Sequence, residues 1–332
     1  MRKVLLGLSG GVDSAVAARL LQNAGYEVRG LYLDIGSADA KADAVETARF
    51  LGVELDIMDI SARLEEKVCV PFVESYLRGE TPNPCIMCNP AVKFAALIER
   101  ADEVGAEFIA TGHYARTENG ALYKACSGND QSYMLCRLKK EQVERLLLPL
   151  GEFEKSEVRA MAESFAIPVA SKPDSMEICF IPDKDYIGWI ARRAAVPGEG
   201  NFIFNGEVIG RHEGIHRWTV GQRIPGLYNE RKLYVSEIRP ETNEIILALW
   251  EDLFKTEVRI RDFNWLVPES GEAIRGSIKV RHTKWECPEC TVYPQENGMV
   301  KVLTDEAVRA PARGQAAVIY CGEQVLGGGY IV

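Results

Sequence analysis

Through its first half the chain alternates short apolar runs with amphipathic stretches. Val4–Leu8 is a strand-length apolar run, Ser14–Asn23 has helical spacing and stops at Gly25, and Val28–Leu33 is a second apolar run. A helix is expected near Ala40–Leu51 and a further strand at Val53–Ile57. Such alternation predicts a parallel sheet with helices on both faces. A longer helical segment, Ala62–Leu77, runs into Gly79-Glu80-Thr81-Pro82-Asn83-Pro84, where two prolines are expected to stop any helix and leave the following backbone exposed. Val92–Val104 resumes helical periodicity, and Phe108–Thr111 reads as another buried strand ending at Gly112-His113-Tyr114. Ligands of open α/β sheets bind beyond the carboxyl ends of the strands, so Ser9–Ser14, Leu33 and Thr111–Tyr114 are expected to face one crevice.

From about residue 198 the pattern changes. Pro197-Gly198-Glu199-Gly200 opens a run of short alternating strands and Gly-containing turns, and helical periodicity becomes scarce. One boundary is expected near 198 and a softer one near 253, before a strand at Val258–Phe263, giving segments 1–198, 199–252 and 253–332. The tail, Gly314–Val332, reads as a hairpin turning at Cys321-Gly322-Glu323 and closing on Leu326-Gly327-Gly328-Gly329-Tyr330. An α/β fold followed by small β domains is the resulting expectation.

Composition narrows the classes. With 332 residues and 47% hydrophobic content the chain has enough apolar surface for two or three domains. No apolar run approaches the roughly 20 residues of a bilayer span, and Met1-Arg2-Lys3 leads directly into a strand, so a cytoplasmic protein without membrane contact is expected. Nine cysteines at irregular spacing, an odd number, suit a reducing compartment in which they serve catalysis or metal binding. The net charge of −9 argues against a protein that coats nucleic acid indiscriminately, though not against a selective RNA enzyme. Basic residues cluster at Arg192-Arg193, at Arg211–Arg217 with His212 and His216, and at Lys279-Val280-Arg281-His282-Thr283-Lys284; each cluster equally suits a solvated surface.

The sharpest chemical signal is Leu5-Leu6-Gly7-Leu8-Ser9-Gly10-Gly11-Val12-Asp13-Ser14, an apolar strand turning through Ser-Gly-Gly into a helix. Unpaired N–H groups of a first helical turn attract anions, and consecutive glycines let a pyrophosphate lie against the main chain. The chain has no Gly-Lys dipeptide, which a Walker A loop needs, and no G-x-G-x-x-G. An ordinary capped βα turn would use only part of the six-residue string Ser9–Ser14. Cys85-Ile-Met-Cys88 admits three readings: a redox pair, for which the preceding sequence is wrong; zinc, shared with Cys287-Pro-Glu-Cys290; or a sulfur-handling nucleophile with Cys179 as partner thiol.

The string Ser9–Ser14 resembles the pyrophosphate loop of the ATP pyrophosphatases, which cleave ATP between its α- and β-phosphates. The wider set is more specific. Ser9–Ser14, Thr81-Pro82-Asn83-Pro84 with Cys88-Asn89, Lys93-Phe94, Thr111–Arg116, Asp130–Tyr133, Lys155 with Glu157-Val158-Arg159, Asp174-Ser175 with Ile178–Ile181, Thr219–Arg223 and Leu326–Gly329 are similar, in the same order, to the tRNA-specific 2-thiouridylases. That resemblance implies an N-terminal adenine-nucleotide-hydrolase-like domain, a small central domain and a C-terminal β-barrel-like domain, the last two binding tRNA. It implies an enzyme that uses ATP and Mg²⁺ to adenylate the C2 oxygen of the wobble uridine and replaces that oxygen with sulfur. Gly7, Leu8, Ser9, Gly10, Gly11, Val12, Asp13, Ser14, Leu33 and Gly112 match nucleotide-binding positions, with Asp13 also supporting the metal. Cys179 matches the persulfide carrier and Cys88 the nucleophile. Asn83, Pro84 and Cys85 match the segment that touches the target base, while His113, Asn129, Asp130, Gln131, Arg281, His282 and Gln315 match tRNA contacts. The implied partners are glutamate, lysine and glutamine tRNAs and a cysteine desulfurase or sulfur-relay protein. The chain departs from the family at Cys85, where aspartate is common, at Asn89-Pro90-Ala91, in a short Asp34–Asp43 segment, and at His282 in place of an aromatic. These departures admit a paralogue with a shifted substrate. Another ATP pyrophosphatase and a non-enzymatic zinc-stabilised RNA-binding module remain as alternatives.

Overall fold

The computed structural model describes every residue except 174–177, 227–231 and 283–286. Asp174-Ser175 and Thr283-Lys284, both singled out above, therefore lie outside the described residues. The chain forms two compact units that interleave in sequence: one comprises Met1–Val68, Cys85–Met176 and Glu323–Leu326, the other Cys69–Pro84, Glu177–Gly322 and Gly327–Val332.

The first unit is built on a parallel sheet. Strands β1 (Lys3–Gly7), β2 (Glu27–Asp34), β3 (Glu54–Asp59), β4 (Phe108–Ala110), the short hairpin β5 (Arg116–Glu118) and β6 (Ala121–Tyr123), and β7 (Leu146–Leu147) occur in that order along the chain. The parallel sheet takes the order β3-β2-β1-β4-β7. Val4, Leu5 and Leu6 of β1 have no exposed surface, as a central strand covered on both faces requires. The helix α1 (Val12–Asn23) buries Val12, Ala15, Val16, Ala17, Ala18 and Leu21, and α2 (Ala38–Leu51) follows β2. Because the chain steps from β1 outward to β2 and β3 and later returns to β4 on the other side of β1, strand order reverses beside β1. The carboxyl ends of β2, β1 and β4 consequently share one edge, the place where such sheets receive ligands.

Two helical segments differ from the sequence expectation. The prolines of Thr81–Pro84 do not simply end a helix: Pro84 begins one, Pro84–Cys88, which widens through a π-turn at Asn89–Lys93 and continues as Phe94–Val104. Proline at a first helical position lacks only an N–H that would have had no helical partner. The expected helix 62–77 is likewise composite, with α-helical turns at Ser61–Leu64 and Val70–Leu77 on either side of a π-turn at Glu65–Cys69.

The second unit is mostly antiparallel. Strands β8 (Gly200–Phe204), β9 (Glu207–His212), β10 (Arg223–Ile224), β11 (Leu233–Arg239) and β12 (Glu244–Ala248) form a sheet of order β10-β11-β12-β8-β9 around Phe202, Phe204, Val235, Ile245 and Leu247. Then β13 (Phe254–Trp265), β14 (Ile274–Lys279), β15 (Glu289–Pro294), β16 (Val300–Arg309), β17 (Ala316–Cys321) and β18 (Gln324–Ile331) pair in the order β13-β16-β15-β14-β17-β18. Pairing of β18 with β13 closes the barrel. Closure demands glycine: a Cβ on Gly327 would lie 2.2 Å from the Asn264 carbonyl oxygen, and one on Gly329 2.5 Å from that of Arg261. The tail hairpin turns at Cys321-Gly322-Glu323 as the sequence suggests. Among the described residues no helix is long and apolar enough to cross a membrane.

Candidate nucleotide and thiol sites

The phosphate loop follows β1 directly. Gly11 occupies the N-cap of α1 and supplies no side-chain cap, so the first-turn N–H groups are left facing the loop. Ser14 Oγ accepts from the Ser9 N–H at 3.2 Å, donates to the Gly11 carbonyl at 3.1 Å and lies 3.1 Å from Ser9 Oγ, which fixes the turn from within. Gly10, at φ +74°, sits beneath α2: a Cβ there would come within 2.7 Å of the Ala40 carbonyl oxygen and 2.8 Å of the Ala44 nitrogen. Gly11 is open by contrast, a Cβ meeting only Ser9 Oγ at 3.5 Å. From β4, Gly112 presses on the same turn, where a Cβ would stand 2.8 Å from the Asp13 carbonyl carbon and 2.9 Å from the Ser14 nitrogen. Leu33 lies half-buried near the end of β2. An uncapped helix start behind an open glycine fits the phosphates of a nucleotide.

Two lysines join this loop that spacing did not single out as ligands. Lys155 Nζ lies 2.7 Å from both carboxylate oxygens of Asp13, and the Tyr114 hydroxyl donates to Asp13 Oδ1 at 2.9 Å. Lys172 pairs with Asp43 of α2 and donates to the Gly10 carbonyl at 3.3 Å, fastening loop to helix. Sequence separations of 142 and 162 residues hide both contacts from a reading of motifs, although Lys155 falls in one of the family strings and Lys172 lies two residues before another. Among the described residues no group of three or more His, Cys, Asp or Glu converges on a point suited to a metal. Asp13 alone matches a Mg²⁺ held by one carboxylate and substrate phosphates, and does not match an all-protein cage.

The cysteines differ sharply in access. Cys136 and Cys290 are buried, and burial pushes each thiol up to about 12, which leaves them inert at neutral pH. Cys85 is exposed and Cys88 half-buried on the helix that Pro84 begins; the next residue, Asn89, is buried and donates to the Met134 carbonyl at 2.7 Å. Cys179 is exposed in a turn whose flanks are anchored. Phe180 packs edge-on against Phe72 at 5.6 Å and tilted against Trp189 at 5.2 Å, and Ile181 is buried. Near β4, His113 Nδ1 lies 2.8 Å from Thr111 Oγ1, and burial together with the Lys93 ammonium holds its imidazole well below the usual value, hence neutral.

Several residues matched to RNA contacts also hold the fold. Asp130 accepts from the Ala125 and Ser132 N–H groups at 3.0 Å each and from Ser132 Oγ at 2.9 Å; Gln131 Oε1 accepts from the Tyr114 N–H at 2.9 Å. Asn129 is exposed. Arg281 donates to the Val220 and Ala310 carbonyls, while His282 is exposed. Gln315 Nε2 donates to the Thr81 carbonyl at 2.9 Å, and the Thr81 N–H donates to the Arg313 carbonyl at 2.7 Å, so the stretch of chain leading to Asn83 and Pro84 is held by the turn before β17.

Residues 2–183 match the model of the tRNA methyl transferase HUP domain, 190–248 that of the tRNA methyl transferase PRC-barrel domain, and 255–331 that of the aminomethyltransferase β-barrel domain. The tRNA-specific 2-thiouridylase MnmA 1 of Clostridium botulinum (strain Okra / Type B1) is 39% identical over 345 residues, covering 99% of this chain and 98% of that one. The MnmA proteins of Syntrophotalea carbinolica and Clostridioides difficile are 38% and 36% identical over the same shares of both chains. With three matching domain models in sequence and relatives alike from end to end, the chain belongs to the tRNA-specific 2-thiouridylase family.

Proposed function

We propose that this protein is a tRNA-uridine 2-sulfurtransferase that thiolates C2 of the wobble uridine at the expense of ATP. The observation that carries the reading is similarity over 99% of the chain to relatives named tRNA-specific 2-thiouridylase. The 1–198 segment supplies the nucleotide loop and the thiols; segments 199–252 and 253–332 contact tRNA.

A uracil carbonyl oxygen leaves poorly, so it must first be converted to a phosphate ester. In this reading the loop Gly7–Ser14 with Leu33 and Gly112 holds ATP, the base leaves the anticodon stack to reach Asn83, Pro84 and Cys85, and its O2 attacks the α-phosphate with loss of pyrophosphate. Mg²⁺ beside Asp13 would neutralise developing phosphate charge. An unperturbed thiol with a pKa near 8.5 is only about 3% thiolate at pH 7, whereas a persulfide is more acidic and carries a transferable sulfur. Cys179 carries that persulfide. Either the Cys88 thiolate attacks it, releasing sulfide to add at C2 and leaving a Cys88–Cys179 disulfide, or the terminal sulfur adds at C2 directly and Cys88 then cleaves the S–S bond. Both routes expel AMP with the former O2, and both need two electrons from an external thiol before the next turnover. The persulfide comes from a cysteine desulfurase or a relay protein, the substrates are glutamate, lysine and glutamine tRNAs, and the compartment is the cytoplasm. His113, Asn129, Asp130, Gln131, Arg281, His282 and Gln315 serve tRNA docking.

The test is to incubate the protein with ATP, Mg²⁺, a persulfide-generating desulfurase and unmodified glutamate tRNA, then to identify the wobble nucleoside by mass spectrometry. 2-Thiouridine is expected. AMP without thiolation would leave an ATP pyrophosphatase with another substrate, and absence of both would sink the reading. Cys88→Ser and Cys179→Ser should each abolish the product while retaining ATP binding, whereas Cys85→Ser should keep most of the activity; a fully active Cys179→Ser protein removes the persulfide role.

A further inference from the structure

We propose that Lys155 is a phosphate-binding residue that exchanges partners, held by Asp13 until a triphosphate displaces that carboxylate. The inference rests on the reading that Ser9–Ser14 binds ATP. Asp13 is the second residue of α1, so its carboxylate stands at the helix end where an anion would be received. A bare carboxylate there repels a triphosphate, and the structure cancels that charge with an ammonium placed 2.7 Å from each of its oxygens. The pair is sheltered, the two side chains being 20% and 30% exposed, so its charges are poorly screened.

The position of Lys155 is itself informative. It is the first residue of the helix Lys155–Ser164, where the helix dipole disfavours a cation. The reciprocal capping contacts of Glu154 and Glu157 fix that helix start, and the lysine is thereby aimed at Asp13 against its own dipole. An ammonium on a four-carbon stem presents three rotatable donors, so it can pass from carboxylate to phosphate without backbone movement. Tyr114 makes the exchange orderly. Its hydroxyl donates to Asp13 Oδ1 at 2.9 Å and its ring lies 5.4 Å from Lys155 Nζ, so the carboxylate stays oriented, and available to a cation, when the lysine departs. Lys172 has a different task, because Asp43 and the Gly10 carbonyl fix it to the loop's underside.

Calorimetric titration of the full-length protein with ATP, with and without Mg²⁺, tests the exchange in a double-mutant cycle. Lys155→Met should weaken ATP about tenfold, the loss of one charge-assisted phosphate contact. Asp13→Asn should tighten Mg²⁺-free ATP several-fold, and Lys155→Met added to Asp13→Asn should still weaken ATP about tenfold, because no carboxylate is then unmasked by loss of the ammonium. Unchanged ATP affinity in Lys155→Met overturns the proposal, as does an unchanged affinity when Lys155→Met is added to Asp13→Asn, which is the result if Lys155 only neutralises the carboxylate. A measurement that needs no lysine variant is acetic anhydride labelling of Asp13→Asn read by mass spectrometry. Lys155 should be modified in the free protein and protected by ATP, and equal labelling in both states also overturns the exchange. If the unaltered protein fails to bind ATP at all, the nucleotide reading fails before Lys155 is tested.

Discussion

Gly112 has no room for a side chain, because the first turn of α1 lies 2.8 Å from where its Cβ would be. The neighbouring atoms are backbone and cannot swing aside. Gly112→Ala is therefore expected to cost roughly 1–3 kcal/mol of stability and to weaken ATP binding by displacing Asp13 and Ser14, checked by denaturant unfolding and calorimetry on one preparation. Lys172→Ala releases the Gly10 carbonyl and Asp43 together, so it should weaken ATP binding while leaving the half-buried Cys88 as reactive towards a maleimide as before. Ser9–Ser14 is legible in the sequence because a tight turn demands particular residue types at fixed spacing, whereas Gly112 enters only at a strand end and as a match to the family, and its close approach to α1 is visible only in the fold. Lys155 and Lys172 are not legible, since a lysine's partner depends on which distant segment the sheet order brings alongside.

Along an element, the same contrast recurs. The period of apolar residues marks β1, α1, β2 and α2 within a few positions, while the helix that starts at Pro84 is missed because proline is permitted at a first turn and forbidden only inside one. The turn bearing Cys179 shows what a local reading cannot supply: Phe180 and Ile181 turn inward beside the exposed thiol, and the ring partners of Phe180, Phe72 and Trp189, come from two different helices. Phe180→Ala should cost about 2 kcal/mol by removing two aromatic contacts from a half-buried ring. If the anchor sets the thiol's position, sulfur transfer should slow while the circular dichroism spectrum and the rate of Cys179 alkylation by iodoacetamide hold; loss of the folded spectrum in step with transfer would mean that the variant has merely lost folded protein.

At the scale of the whole molecule, histidines kept neutral contribute to stability in weak acid, above the range in which the paired carboxylates titrate. His113, His212 and His216 all have depressed values, each mainly through burial, with Lys93, Arg211 and Arg217 adding repulsion at one or other. His212 Nδ1 also accepts from the Gly214 N–H at 3.1 Å, a bond lost if that nitrogen is protonated. The unfolded chain takes up these protons near pH 6.5, so the contribution is intact above that value and is lost as pH falls from it towards the folded values. Melting temperature should decline between pH 6.5 and 5, and His212→Gln should flatten the decline; a profile unchanged by that substitution would place the effect elsewhere. The sequence patterns indicate a parallel sheet followed by strands, but barrel closure is a long-range event that only the Gly327–Gly329 string foreshadows. The anchors of the phosphate loop have a temporal consequence. Ser9–Ser14 leaves the ribosome early, yet the residues that shape it arrive with Gly112, Lys155 and finally Lys172. At about 5–20 residues per second the interval is roughly 10–30 s. A nascent chain thus carries its most recognisable motif in an unset form, and translation itself delays the moment at which the protein can begin to consume nucleotide.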